Sequence, residues 1–584
     1  MFLAFLDQDI VRKVIFMIKV VKKKKKKLGR GLGGGFRRGA SSVETSPLRP
    51  YYAEKTPPCE DACPNANNIR TILNSFITSE KKGISYDNII HDAWYTLTEK
   101  SPFPAVCGRV CPHPCESACN RNAKDQPVAI NNIERFIGDF GIENDLKHKK
   151  LHDTAYDEKV AVIGAGPAGL SCAFQLARRG YNVTVFEAFP KPGGMLRYGI
   201  PAYRLPRNIL DAEIDKIMEL GVNIKCCTII GKDIQYDDIK KEYDVIFVGI
   251  GAHKGKPLNV EGEDAANVHT GTEFLNRVNS GQPVDVGTDV IVIGGGDTAI
   301  DAARMARRAG ANTTILYRRT RNEMPAIEEE IEGALEEGVK IEYLAAPIKI
   351  SKNDEKMVKM KCRRMELGEP DESGRPRPVP IEGSEFEVAA TAIIAAISQE
   401  PDFHGLGHLR EGRDWIKADE SGQVKLRGEP VDSVYAGGDV LDLGLVITAI
   451  SNGRHAAQTI HERFRGIEHV EDTIPPVIKH DKILLNYYEE KPRNENSKMP
   501  VEERFANPDA EIASTLTKDQ AIEEALRCFS CASCFDCGVC WSYCQDSAII
   551  KPLTPGEKYK FKLEFCNGCK KCAEQCPCGY IEMR

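Results

Sequence analysis

No stretch of the 584 residues approaches the roughly 18–20 consecutive apolar residues that a membrane-crossing helix needs. The longest candidate, Val388 to Ser398, has the length of a buried strand with its turn, so no membrane span is expected. No charge dominates either. A net charge of −6, with 28% charged and 42% hydrophobic residues, is that of an ordinary soluble chain. It suggests neither wholesale disorder nor a general attraction to nucleic acid. A secretory signal is not expected, because the apolar Met1–Leu6 is followed at once by Asp7 and Asp9. Apolar Val14–Val21 then runs into six lysines, Lys22–Lys27, and a Gly/Arg-rich stretch, Gly29–Arg38. These residues read as a solvated tail or as an arm that docks on a partner subunit. As an RNA or acidic-membrane contact the lysine run supplies charge without specificity, and no nucleic-acid partner is expected. The middle of the chain nearly lacks cysteine. Of 21 cysteines, only Cys172, Cys226, Cys227 and Cys362 lie outside two dense blocks, six between Cys59 and Cys119 and eleven between Cys528 and Cys578. With no export signal and with C-x2-C spacings, such density points to metal or cluster ligands rather than disulfides, and to a reducing cytoplasm.

The length calls for several domains. Residues 1–50 form the basic tail and 51–155 a helical, cysteine-bearing segment. Residues 156–285 form a nucleotide-binding region that is interrupted by a second one at 286–397 and resumes at 398–467. A polar linker covers 468–512, and the last cysteine block fills 513–584. The predicted fold class is α/β: two Rossmann-like domains flanked by an N-terminal helical iron–sulfur domain and a C-terminal ferredoxin-like α+β domain.

Two glycine fingerprints carry the nucleotide reading. In the first, Gly164 permits a tight turn, Gly166 lets the backbone approach a pyrophosphate, and Gly169 packs helix on strand. A second strand, Asn182 to Phe186, ends in Glu187, where a carboxylate can accept from ribose hydroxyls. The second fingerprint has Gly294 and Gly296, with Ala299 in the third glycine's place. Its second strand ends in Arg318-Arg319-Thr320-Arg321 instead of an acid. Guanidinium there favours a 2′-phosphate through charge-assisted bonds, so NADP(H) is preferred over NAD(H). Hydride transfer needs nicotinamide stacked on flavin rather than an acid–base pair, so no catalytic acid or base is assigned.

The C-terminal block is the most specific signal. Cys534, Cys537, Cys540 and Cys544 read C-x2-C-x2-C-x3-C, and Cys566, Cys569, Cys572 and Cys576 repeat it. In two-cluster ferredoxins the fourth cysteine of each run ligates the other cluster. That predicts one [4Fe–4S] cluster on Cys534, Cys537, Cys540 and Cys576, and another on Cys566, Cys569, Cys572 and Cys544. Pro577 follows Cys576 as usual, whereas Gln545 stands after Cys544. Cys528 and Cys531 extend the run upstream and stay unassigned, as members of another site or as plain thiols; Cys578 reads as a plain thiol.

Lys191-Pro-Gly-Gly-Met-Leu-Arg-Tyr-Gly-Ile-Pro201 and Tyr435-Ala-Gly-Gly-Asp439 resemble segments of the glutamate synthase small subunit and its relatives, including dihydropyrimidine dehydrogenase. Arg318 to Ala326 and Cys107 to Cys119 resemble the same family. The resemblance covers about Tyr51 to Gly466. It implies FAD at the first fingerprint, with Gly194 and Arg197 nearby, and with Gly438 and Asp439 at the ribityl chain. It also implies that the helix after Asp439 points its N-terminus at the flavin. In the N-terminal block it implies one cluster on Cys63, Cys111, Cys115 and Glu134, with Cys59, Cys107 and Cys119 contributing to a second. Relatives carry a C-x2-C pair ahead of the position of Cys59, and none stands there in this chain. One or two N-terminal clusters are therefore expected. The expected protein is an FAD- and NADP(H)-dependent iron–sulfur subunit of a cytoplasmic hetero-oligomer. It would exchange electrons with other redox subunits, such as an NAD-linked flavin/iron–sulfur diaphorase, or with ferredoxin, as in electron-bifurcating transhydrogenases. A glutamate synthase small subunit and a non-catalytic electron wire are the alternatives.

Overall fold

The computed structural model describes residues 46–352, 357–371, 374–413, 415–468 and 473–584. The lysine run and its flanks, expected as a solvated tail or a docking arm, lie outside the described residues.

A short strand β1 (Pro50–Tyr52) leads into helices α1 (Ile69–Lys82), α2 (Tyr86–Thr98), α3 (Pro104–Val110) and α4 (Ile130–Glu143). In α1 the buried Ile69, Ile72, Leu73 and Phe76 recur at helical spacing and form one apolar stripe, which ends at Gly83 in the left-handed region. Helices α3 and α4 cross closely because glycines meet backbone. A Cβ on Gly108 would lie 2.3 Å from Arg135 Cα, and one on Gly138 would lie 2.3 Å from Ala105 N.

The first nucleotide fold begins with β2 (Lys159–Ile163), α5 (Pro167–Ala177), β3 (Asn182–Phe186), α6 (Arg207–Met218), β4 (Asn223–Lys225) and β5 (Val245–Val248). The second comprises β6 (Val268–Thr270), β7 (Asp289–Ile293), α7 (Asp297–Arg308), β8 (Asn312–Tyr317), β9 (Lys340–Tyr343), the antiparallel trio β10 (Ala345–Lys352), β11 (Val358–Pro370) and β12 (Pro376–Ala390), and β13 (Ala392–Ala395). The chain then returns to the first sheet with β14 (Lys417–Ala418), β15 (Gln423–Leu426), β16 (Glu429–Ala436) and the long helix α8 (Val446–Arg465). The first sheet has the order β14-β15-β16-β5-β2-β3-β4 and the second β9-β8-β7-β13-β6. β6 therefore joins the second sheet, although the sequence places 268–270 in the first region. It pairs in parallel with β13, so the crossover begins about 20 residues earlier than the second fingerprint suggests.

Residues 473–512 are not a loose linker. Thr56 bridges to Val477, and Ile478 and Ile483 are buried. Arg493 pairs with Glu116 at 2.7 Å, and Lys491 N–H donates to Asp125. The polar composition that suggested a linker serves to hydrogen-bond the N-terminal module. Helix α9 (Lys518–Ala525) follows, and the chain ends in β17 (Ile581–Met583), which pairs antiparallel with β1. The C-terminal block is thus stitched to the N-terminal helices. Glu213 on α6 joins those helices to the first nucleotide fold by accepting Ala105 N–H and Val106 N–H at the start of α3.

Candidate functional site

In the first sheet the chain moves from β2 to one side and later returns to the other, so the switch lies between β2 and β5. In such sheets a crevice forms outside the carboxyl ends of the strands at that switch. A cavity of about 470 Å³ occupies this place. Its walls come from four strand exits: Gly164 and Gly166 after β2, Glu187 after β3, Gly249 after β5, and Gly438 with Asp439 after β16.

Each fingerprint glycine has a separate cause. Gly164 has φ +101°, and a Cβ there would lie 2.4 Å from Gly249 O. A Cβ on Gly169 would lie 2.0 Å from Gly164 O. Gly166 differs: its Cβ would meet only Gly194 Cα, at 3.9 Å, and would project into the cavity. The space beside Gly166 is thus open to the cavity. Two helix starts open on the cavity, α5 after Gly166 and α8 after Leu445, and neither has a side-chain cap. Their free N–H groups and positive dipole ends suit anionic groups. Helices α5 and α8 lie close because Gly453 faces Ala168 O; a Cβ there would sit 2.1 Å away.

Glu187 is buried and accepts Ala165 N–H at 2.7 Å and Phe189 N–H at 2.8 Å. Burial raises its carboxyl, and these backbone donors partly offset the rise. Burial pushes Asp439 up to about 6, while Gly444 N–H donates to it. His253, also in the wall, is held down to about 4 by burial. Arg197 is not in the cavity wall. It is buried, donates to Pro192 O at 2.6 Å and pairs with Asp211, so it braces the 191–201 loop.

In the second fold Gly294 has φ +147°, and a Cβ there would lie 2.2 Å from Ala396 O after β13. Gly296 repeats the openness of Gly166, since its Cβ would meet only Pro325, at 3.8 Å. Ala299 is fully buried, and α7 starts without a side-chain cap. The two arginines after β8 have different surroundings. Arg319 is buried, donates to Pro376 O at 2.8 Å and pairs with Asp371 at 2.7 Å, so it fastens the β11–β12 hairpin. Arg318 is exposed and has no salt-bridge partner among the described residues.

The cysteines gather into four groups. Cys534, Cys537, Cys540 and Cys576 line one small cavity. Cys544, Cys566 and Cys569 stand near enough to Cys572 to add to the effect of burial in pushing its thiol up to about 12. Cys63, Cys111 and Cys115 surround Glu134 on α4. Burial pushes Glu134 up to about 8, and its buried Oε1 has no hydrogen-bond partner. An orphaned acceptor among thiols fits a carboxylate that waits for a metal. Cys107 was grouped with Cys59 and Cys119, but the structure sets it apart from them. It lies in the core of the first nucleotide fold, beside Glu134 and Cys111. Cys59 and Cys119 instead face Cys528 and Cys531. No spacing rule reveals that meeting, because over 400 residues separate the two halves.

A crevice at the first glycine turn, a second glycine turn of the same build and four thiol groups describe a flavoprotein-type fold with cluster-type donor sets. A family model for pyridine nucleotide-disulphide oxidoreductases matches residues 158–458, and one for dihydropyrimidine dehydrogenase domain II, 4Fe–4S cluster, matches 51–146. The chain is 36% identical over 521 residues to the NADPH-Fe(3+) oxidoreductase subunit beta of Geobacter sulfurreducens, covering 82% of this chain and 76% of the relative. It is 37% identical over 466 residues to the NADP(+)-dependent formate dehydrogenase subunit beta of Moorella thermoacetica, covering 75% and 64%. The glutamate synthase [NADPH] small chain of Escherichia coli is 35% identical over 428 residues, covering 69% and 88%. The chain belongs to the pyridine nucleotide-disulphide oxidoreductase family and carries the iron–sulfur domain of dihydropyrimidine dehydrogenase at its N-terminal side. Among the described residues no helix is long and apolar enough to cross a membrane.

Proposed function

We propose that this chain is the NADPH-linked subunit of an iron–sulfur redox complex, in which FAD occupies the cavity at the first fingerprint and NADP(H) the second. FAD bound there supplies the exchange between hydride pairs and single electrons. The protein's own part is to place and shield. Gly166 and Gly296 keep space for the phosphates, and the uncapped starts of α5, α7 and α8 present N–H groups. Glu187 and Asp439 provide acceptors for sugar and ribityl hydroxyls, and Arg318 provides the charge that favours a 2′-phosphate. Thiol groups at both chain ends supply ligands for [4Fe–4S] clusters. The observation that carries this reading is the cavity at the β2/β5 switch with two uncapped helix starts opening on it.

The relatives named as beta subunits and small chains support a hetero-oligomer with other redox subunits. An electron-bifurcating NAD(P) transhydrogenase complex is the particular setting we propose. Rapid anaerobic mixing of the flavin-loaded chain with NADPH is expected to bleach the flavin band much faster than mixing with NADH. Bleaching by neither nucleotide would leave only an electron wire. Anaerobic purification from the native source tests the setting: a copurifying NAD-linked flavin subunit supports it, and a large amidotransferase subunit replaces it with glutamate synthesis.

A further inference from the structure

The sequence leaves Cys528 and Cys531 without a role, and it leaves Cys59 and Cys119 short of partners. The structure assigns these four cysteines to one site, and we propose that they ligate a [4Fe–4S] cluster assembled from both ends of the chain.

Cys59 sits in the helical turn Pro58–Asp61, and Cys119 follows the turn Pro114–Ser117. Cys528 and Cys531 leave the end of α9. All four line one cavity of about 20 Å³, whose remaining walls include Leu73, Val128, Ile130 and Phe529. The cavity among Cys534, Cys537, Cys540 and Cys576, whose spacing is that of a ferredoxin, has the same volume. None of the four sulfurs is in a disulfide. Cys528, Cys531 and Cys119 are close enough to Cys59 to interact with it electrostatically, and Arg70 and Arg121 complete the wall.

The backbone of the Cys528–Cys531 loop is the second argument. In each C-x2-C that opens a ferredoxin run, the residue before the second cysteine is left-handed: Asp536 at φ +54° and Gly568 at φ +75°. Ser530 takes the same conformation, at φ +50°. Its N–H donates to Cys528 Sγ at 3.3 Å, as Gly568 N–H donates to Cys566 Sγ at 3.4 Å. Cys531 Sγ accepts Asn120 Nδ2–H at 3.5 Å. A non-glycine residue in this region costs free energy, and here the conformation turns both sulfurs to one side. Among the described residues no three His, Cys, Asp or Glu side chains converge on a single-ion site. Neither this quartet nor the two ferredoxin quartets forms such a single-ion group, so the three are alike in this respect.

The site changes the wiring, and this consequence rests on the redox reading above. Cys59 and Cys63 are four residues apart, as are Cys115 and Cys119, and in each pair the two cysteines belong to neighbouring groups. Cys531 and Cys534 are three apart and also belong to neighbouring groups. A chain spans at most about 3.6 Å per residue, so each such pair lies within roughly 11–14 Å. The Cys63 group is the one tied to the first nucleotide fold, because Cys63 and Cys111 pack on its core and Arg454 on α8 donates to Asn65. The thiol groups therefore stand in single file from the first nucleotide fold to the C-terminal block, and the C-terminal pair closes the gap in the file.

Iron, acid-labile sulfide and zinc are counted on the anaerobically reconstituted full chain, and NADPH bleaching is recorded on the same sample. Four clusters give about 16 irons per chain. The Cys528→Ser/Cys531→Ser double variant and Cys59→Ser should each lose about four irons, and combining them should lose no more than either alone. One zinc per chain beside a wild-type count near 12 overturns the site, as does an iron count in the double variant equal to that of the wild type. A flavin that NADPH leaves oxidised beside a count near 16 would instead refute the redox reading and keep the cluster.

Discussion

Neighbouring side chains of one type do different work here, and the difference lies in what each touches. Arg318 and Arg319 follow the same strand, yet only Arg319 has Asp371 and Pro376 O as partners. Arg318→Ala removes a charge-assisted bond of about 1.5–3 kcal/mol, so KM for NADPH should rise roughly 10- to 100-fold while the preference over NADH shrinks. Arg319→Ala should lower the melting temperature instead and leave that preference in place; steady-state kinetics with both nucleotides separates the two. Gly166 gives a second contrast with its neighbours. Gly166→Ala places a methyl group in ligand space and meets no protein atom within 3.8 Å, so the apo fold should persist. Flavin affinity should fall by about 1–3 kcal/mol, read by flavin retention on gel filtration. The fingerprint glycines were legible in the sequence because their spacing falls within one strand–turn–helix unit, although Gly164 and Gly294 meet carbonyls of later strands, Gly249 O and Ala396 O. The division between the two arginines was not, since Asp371 reaches Arg319 from a hairpin some 50 residues away.

At the scale of elements, the joints are charged or aromatic and deeply buried. His148 packs between Trp94 of α2 and Phe174 of α5, with ring centroids at 5.1 and 4.7 Å, and neither ring nitrogen has a hydrogen-bond partner. Burial first, then Arg178 and Lys216, hold it down to about 3. Between that value and the ordinary 6.5 the unfolded chain binds a proton that the folded chain does not, so stability falls as pH falls through this window. The slope from this one residue reaches at most about 1.4 kcal/mol per pH unit. His148→Leu should flatten the acid side of the stability profile, measured as melting temperature against pH. Glu524 on α9 is a second joint. It is fully buried and accepts Ala129 N–H and Asn494 N–H while pairing with Arg527, so one carboxylate ties together α4, the 473–512 strap and the C-terminal block. Glu524→Ala leaves Arg527 buried without this partner and should cost about 3–5 kcal/mol, seen as faster hydrogen exchange in residues 513–584. The strap was misread as a linker because its polar side chains and turns look alike whether they face water or another module.

Over the whole molecule, the fold brings the chain's two ends together: β1 pairs with β17, and the N-terminal helices and the C-terminal cysteine block share one quartet of thiols. Local patterns announced both parallel nucleotide-type sheets, and the interleaved spacing announced that Cys576 lies with Cys534, Cys537 and Cys540. The order of the thiol groups depends on topology, which cysteine spacing does not contain. Cys107 shows this in one direction, drawn away from Cys59 by the core of the first nucleotide fold, and Cys528 shows it in the other. In the proposed wiring, the nucleotide side and the thiol file exchange electrons through the flavin cavity. Low-temperature EPR of the iron- and flavin-loaded chain tests it most directly, with NADPH added to the oxidised protein and NADP+ added to the dithionite-reduced protein. The account predicts that the cluster signals change in at least one of these titrations, together with the flavin band. A flavin that responds while the cluster signals stay fixed in both would contradict it.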